Sequence, residues 1–470
     1  MKSAPGTTGR PWPTLLAAVL GGAMVGLDGT VTTIAAPYIA KSVGASLGQL
    51  ELIANAYLVA LAIVLLPAGR LADRFGRRRT FVLGVGLFGA ASLALALSHS
   101  VWALVIFRTV QGIAGALLQP SALAVLRNAF PVEKLGLPLG VWGGANALAI
   151  GLGPVIGGVI VQSLDWPAVF ALNVPVAVIT IALTYFAVAE SRGPAKRTKG
   201  VVRGLLAKRP VWLGATMVAV SSFGVFGLLF LLTLYLQNVH GMPPVTAGAW
   251  MLAPTCVVVL AAPVGGLLAQ RFGPRWPVSG GLALVAAGLT SLTLLDVDST
   301  FTDLLYPGAL VGAGTGLCTI AATEAIIGAV PDEAAGTASA LQQIASQLGG
   351  VLGVAGVGIV MSWQISSSLP ARIEQARLPE TFGQHVESGR DFLAQGLVPP
   401  GFDEGSVGSA VAHAVSVLSK LTFLDGMGAA LLVAACVSLL GAGAALFLRR
   451  PAASAAPEVP AAEPASPATR

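Results

Sequence analysis

Charge is scarce in this chain. Only 10% of its 470 residues are Asp, Glu, Lys or Arg, against about a quarter in an ordinary soluble domain. Apolar residues make up 55% and the mean hydropathy is +0.81, so the expected solvent is lipid. Cysteine is nearly absent as well. Cys256, Cys318 and Cys436 each fall inside an apolar run, which excludes a disulfide framework or a Cys-rich zinc site and leaves core packing. The four histidines, His99, His240, His385 and His413, lie between apolar runs with no metal-pair spacing, and no GxxxxGK phosphate loop is present. The expectation is a protein without metal, cofactor or enzymatic activity. The formal charge of +6 sits in short loops between apolar runs, where it reports orientation and not a nucleic-acid partner.

What the chain has in quantity is long apolar runs. A run of about 20 residues spans a hydrocarbon core of about 30 Å, and such runs cover residues 13–37, 50–68, 80–98, 102–127, 137–160 and 167–189, then 211–236, 245–269, 276–296, 303–329, 338–362 and 421–448. The first run contains Asp28 and is followed by many others, so it reads as a helix and not as a cleavable signal. These runs predict an all-α membrane protein of twelve transmembrane helices in two six-helix bundles, residues 13–190 and 211–448. With the N-terminus inside, 21 of the 27 Lys and Arg fall on one side of the membrane, a bias that predicts cytoplasmic termini. The basic linker 191–210 is expected along the inner leaflet as a short amphipathic segment, its cations at anionic headgroups. Residues 363–420 are polar and read as a long external loop, with ARIEQA near Ala371 as a helical turn. Residues 1–12 form a cytoplasmic tail, and the Ala/Pro-rich tail 449–470 is expected to be disordered.

The two bundles carry a repeat. GRLADRFGRRR, Gly69 to Arg79, returns as GLLAQRFGPRW from Gly266, and at an offset of 197 the residues Gly69, Leu71, Ala72, Arg74, Phe75, Gly76 and Arg78 match, while Asp73 becomes Gln270. An internal repeat of a whole half is a mark of secondary transporters, whose substrate site lies between the halves. Gly69 and Gly76 permit a tight turn, and Arg74, Arg77 and Arg78 hold the loop at headgroups. The lone acid Asp73 suits a helix N-terminus or a cation partner, for which Arg127 at the end of the fourth helix is the candidate. The plainer reading is a topological anchor; the sharper one is a conformational latch.

GRLADRFGRRRTF has the form of the loop between helices 2 and 3 in the major facilitator superfamily. LDGTVTTIAAPYI, Leu27 to Ile39, resembles the helix 1 signature of that superfamily's drug:proton antiporters. LVIFRTVQGIAGALLQP matches a second superfamily motif at Leu104, Arg108, Gln111 and Gly112, with Ala114 where a Gly is usual. GPVIGG, Gly153 to Gly158, resembles the helix 5 motif that separates antiporters from importers, although Ala149 departs from it; Gly153, Pro154, Gly157 and Gly158 allow close helix approach and a bend. DWPAVFALNVP, Asp165 to Pro175, has the Trp, Phe, Asn and Pro of the helix 5–6 corner, with Pro167 for the usual Arg. The absence of two additional central helices resembles the twelve-helix subset that includes methylenomycin-resistance-type exporters.

A carboxylate in lipid costs at least about 2.5 kcal/mol, so Asp28 is expected to face a cavity as a proton site, the alternative being a structural hydrogen bond. Counting 1.5 Å per residue from the outer helix ends puts Arg108 about 9 Å and Asp28 about 15 Å deep, comparable depths for a pair. With helices 1 and 4 both lining the central cavity, as the resemblance implies, Arg108 is expected to hold Asp28 ionised until a proton or substrate displaces it; a bond to backbone carbonyls is its alternative. Gln111, Asn146 and Gln343 are candidates either for cavity hydrogen bonds or for bonds between helices. Glu324 and Asp425 read first as interfacial, with Glu324 also placed to attract cations at an inner cavity mouth. The function expected is proton-coupled export of a small amphipathic molecule, with protons and the bilayer as further partners and a monomer as the unit. A proton-coupled nutrient importer and a non-transporting receptor are the alternatives.

Overall fold

The computed structural model describes residues 10–131, 134–192, 204–331, 334–376, 378–402 and 404–448. The expected N-terminal tail as far as residue 9, the core of the linker at 193–203 and the tail 449–470 lie outside them.

The first half contains α1 (Pro11–Val43), α2 (Leu47–Phe75), α3 (Arg77–Ala96), α4 (Val101–Ala129), α5 (Leu137–Leu164) and α6 (Pro167–Ala187, with a break at Leu172). The second contains α7 (Arg209–Val239), α8 (Pro244–Phe272), α9 (Arg275–Leu292), α10 (Phe301–Ile327), α11 (Ala335–Gln375) and α12 (Ser409–Ala445). Eleven are long and apolar enough to cross a membrane; the twelfth, α9, is only 18 residues and begins Arg-Trp-Pro. It packs between α10 and α12 all the same, so the expected two bundles of six are what the chain forms.

Local signals set the helix ends. Ser46 and Gln49 form a reciprocal capping box at the start of α2, and Thr300 and Asp303 form one at α10. The α2–α3 turn runs through Gly76 at φ 115°, and its counterpart between α8 and α9 through Gly273 at φ 84°. A side chain is strained at such angles, which is why both copies of the repeat keep glycine there.

The stretch expected to be an external loop, 363–420, is mostly helix. α11 continues to Gln375 and α12 begins at Ser409, and the short helices Glu380–Ser388, Arg390–Leu393 and Glu404–Val407 lie between them. The polar composition hid two apolar stripes. Leu369 from α11 and Val415 and Leu418 from α12 enclose Val386, Leu393 and Phe402 in a small core of their own, making a helical cap. Asp425, near the start of the cap on α12, is bound at two oxygens by Arg372 at 2.7–3.0 Å.

The halves meet unevenly along the molecule. At the end away from the basic loops, one apolar cluster draws on both bundles, with Ile39, Leu50 and Phe170 from the first and Phe230, Met251 and Val357 from the second. At the basic-loop end, the buried residues of each cluster belong to one bundle only. Cross-half hydrogen bonds join the sealed region, among them Gln237 Nε2 to the Ile34 carbonyl at 3.0 Å and Thr255 Oγ1 to the Gly151 carbonyl at 3.1 Å.

Candidate functional site

Asp28 on α1 and Arg108 on α4 face each other in the interior of the first half, 0% and 2% exposed. The Arg108 Nη1 donates to Asp28 Oδ2 at 2.5 Å and to Gln111 Oε1 at 2.7 Å. Gln111 Nε2 in turn donates to Asp28 Oδ1 at 2.8 Å and to Ser92 Oγ at 2.9 Å, and Asn173 Nδ2 reaches Asp28 Oδ1 at 3.4 Å. The guanidinium lies over the Tyr57 ring, 4.4 Å from its centroid, with Phe170 at 6.0 Å. Both carboxylate oxygens therefore have donors and the cation has a counter-ion and an aromatic face, which is what allows a charge pair to stay buried. Arg108 keeps one buried donor, Nε, without an acceptor.

The pair is placed at the edge of a cavity between the halves. Gly29, Thr32, Thr33, Tyr57 and Arg108 line it from the first half, and Phe226, Phe230 and Val354 from the second. Asp28 itself is shielded behind Arg108. The structure brings Asp28 and Arg108 together, and Gln111 bonds between helices and not as a free cavity donor. Asn146, from α5, turns its buried, unbonded Oδ1 against Gly26 of α1. Gln343 is half-buried on α11.

The basic loop is held differently from expectation. Asp73 pairs with Arg77, one turn on, at 3.1 Å, while Arg127 lies exposed at the end of α4. An i,i+4 partner is available without any tertiary rearrangement. A residue not singled out from the sequence does more here: Glu190, just past α6, accepts from the Arg78 backbone N–H at 3.2 Å and lies 3.6 Å from Arg79 Nε. It caps the positive N-terminus of α3. Arg78 stacks over Tyr185, 4.8 Å from the ring centroid. In the second half, Gln270 Nε2 donates to Glu324 Oε1 at 3.5 Å. These residues stand 197 positions beyond Asp73 and Arg127, so the contact expected in the first copy is made in the second, without the charge pair.

Comparison with known proteins decides the family. The sequence profile of the Major Facilitator Superfamily matches residues 18–354. The chain belongs to the Major Facilitator Superfamily. It is 36% identical to a tetracenomycin C resistance and export protein of Streptomyces glaucescens, over 95% of this chain and 93% of that one. It is 30% identical to the methyl viologen resistance protein SmvA of Salmonella typhimurium, over 91% and 97%, and 28% identical to a methylenomycin A resistance protein of Streptomyces coelicolor, over 74% and 85%. The fold matches a bacterial homologue of the lysosomal transporter Spinster, solved inward-facing, with a TM-score of 0.71 at 20% identity over 93% of this chain and 98% of that one. The protein is a multi-pass membrane transporter of this superfamily and not an enzyme.

The superfamily motifs on α5 and α6 are positioned by close packing. Gly153 and Gly157 lie against Thr30 and Val31 of α1, and Gly158 lies against the Pro244 carbonyl of α8. The carbonyl of Pro154 in turn fills the space left by Gly248, so α5 is clamped between its own bundle and the other. The corner motif supplies Phe170 beneath Arg108 and Asn173 to the carboxylate. Asn173, Ser92 and Tyr57 were not singled out beforehand; single Ser, Asn and Tyr residues in apolar runs look like ordinary interhelical glue, and only the Asn of the corner motif carried a signal.

Proposed function

We propose that this protein is a proton-coupled exporter that exchanges an incoming proton for an outgoing small amphipathic molecule, working as a monomer by alternating access of its two halves. The observation that carries this is the position of Arg108, shared between the Asp28 carboxylate and the cavity wall. With Asp28 ionised, the pair is neutral and the cavity offers an apolar, aromatic lining with two threonine hydroxyls. Protonation of Asp28 leaves Arg108 as an uncompensated cation in the wall, a state that disfavours an apolar or cationic guest. Proton and substrate thus oppose each other at one place, the condition for exchange.

The bias of Lys and Arg supports placing the basic loops in the cytoplasm, so the parted end faces inward and the capped, sealed end outward. Asp73 bound to Arg77 is then the released state of the latch, in which the acid is held within its own loop and not by Arg127. Gly153, Pro154, Gly157 and Gly158 form the close-packed track on which α5 moves against α8. Each proton entering contributes about 2.3 kcal/mol per 100 mV, which supports a roughly fifty-fold gradient of a neutral solute. The names of the resistance and export relatives suit an aromatic or amphipathic cargo, and the Tyr57, Phe226 and Phe230 lining suits it as well.

Proton movement in inverted vesicles, on addition of a panel of antibiotics and dyes, tests the proposal. Wild type is expected to move protons in response to substrate and Asp28→Asn to lose that response. Full proton-coupled efflux by Asp28→Asn overturns the proton site, and the absence of any dependence on a proton gradient favours a uniporter or a receptor.

A further inference from the structure

A second carboxylate within a membrane helix plays no part in the network around Asp28. Glu51, in the first turns of α2, projects across the seam between the halves onto Gly358 of α11, so closely that a Cβ at Gly358 would collide with its carboxylate. It is half-buried, and among the described residues it has no hydrogen bond and no ion pair. Charged groups on the elements around it are committed or distant. On α1, Asp28 is held by Arg108 of α4 and Lys41 is exposed at the helix end. On α11, Arg372 lies about 21 Å further along at 1.5 Å per residue and is bound to Asp425, while Glu374 is exposed. The arginines of α3 stand at its opposite end, and His99 is exposed in the α3–α4 connection.

The seam that Glu51 enters is the one that seals the outer end. Its neighbours Leu50 and Ile53 belong to the apolar cluster shared by both halves, as do Val354, Val357 and Met361 on the facing helix. An ionised carboxylate pressed against a helix backbone beside that cluster, with no donor, carries a desolvation cost that a carboxylic acid avoids. When the halves part on the outer side, α11 withdraws and Glu51 meets water, where it ionises at neutral pH like any glutamate.

We propose that Glu51 is a proton-binding group of the outer seam, so that the two halves close there only when Glu51 has taken up a proton from the outside. The proposal rests on the orientation argued above but does not require that Asp28 be the exchanged proton's site. It gives the return of the carrier from outward-facing to inward-facing a dependence on external pH, and it assigns Gly358 the role of making room for the carboxyl group.

The test is a distance measurement across the outer end, in full-length protein in lipid nanodiscs. Spin labels go at Ser42→Cys and Asp298→Cys, both exposed on that side, after replacement of Cys256, Cys318 and Cys436. Wild type is expected to change its open-to-closed ratio by about tenfold per pH unit, the slope of one proton. Glu51→Gln is expected to stay closed at every pH, and Asp28→Asn to keep the wild-type response even though exchange is lost. A Glu51→Gln protein that follows the wild-type pH response overturns the proposal; if the response disappears in Asp28→Asn instead, the proton belongs to that site. Infrared spectroscopy supplies a second readout, a protonated-carboxyl band in the closed protein that Glu51→Gln removes. Identical bands in the two proteins likewise overturn the assignment.

Discussion

The first half keeps two opposite charges in its interior, whereas the second has Val225 and Leu305 at the positions 197 residues beyond Asp28 and Arg108, both packed against the apolar cluster of the sealed end. The turn glycines Gly76 and Gly273 have kept their positive φ in both copies, but the polar pair of the second copy, Gln270 and Glu324, stands at the basic-loop boundary. Duplication has conserved the backbone requirements and let the charges diverge. The proposed coupling pair lies in one bundle, and the other supplies Phe226, Phe230 and Val354 to the cavity wall.

Asp28→Asn should break this asymmetry most severely, lowering substrate-driven proton flux in inverted vesicles within the 5- to 150-fold range typical of coupling free energies. Leu305→Asp, which adds an acid to the second half without a partner, should not restore it. Gly158→Leu comes next: the side chain meets the Pro244 carbonyl, and overpacking of about 1–3 kcal/mol should hold the outer ends apart, seen as slowed export with an unchanged helical spectrum. Asn173→Ala removes one long hydrogen bond to Asp28, worth about 1 kcal/mol, and should slow exchange several-fold without abolishing it. In the second half, Glu324→Gln at the partly exposed boundary should change export by less than about twofold; a loss as large as that of Asp28→Asn would place coupling in both halves.

The smallest effect concerns His240, in the connection between α7 and α8. Desolvation lowers its pKa, and its ring is joined to the Tyr235 hydroxyl at 2.9 Å. Because the folded pKa lies below the unfolded one, the unfolded chain binds a proton more readily as pH falls through the ordinary imidazole range, and stability declines there. Thermal unfolding should show a shallower acid loss in His240→Gln than in wild type.

Much of this was legible in the sequence because lipid makes charge rare. Asp28 and Arg108 stand out as the two charges deepest in apolar runs, and depth counting, together with the family resemblance that puts both helices at the central cavity, aligned them. Residues whose roles depend on tertiary approach were not legible. Glu51 sits at the margin of its apolar run and looks like a boundary residue until α11 is placed against it. Glu190 is the last residue of the first bundle as read from the sequence and carries no motif, although it caps α3. Arg127 was chosen as Asp73's partner by its place at the membrane surface, whereas the local Arg77 wins by being one turn away. The cap was misread because residues 363–420 are polar on average, and the spacing of Ile365, Leu369 and Ile373, which is helical, was outweighed by composition.

That cap changes how α11 should be viewed. At 41 residues the helix is about 60 Å long at 1.5 Å per residue, twice the thickness of the hydrocarbon core, and it runs unbroken, with Pro370 inside its last turns, from the basic-loop end to the cap. The cap rests on the first half through Gln395, which reaches the Ala45 carbonyl at 3.4 Å, while Asn238 of α7 holds the Gln395 carbonyl at 2.6 Å. A tilt of α11 small enough to escape notice at the cavity is therefore magnified at the cap, like the far end of an oar. On the proposed orientation, a synthetic binder clamped to the cap from outside the cell is expected to stall transport without ever entering the membrane.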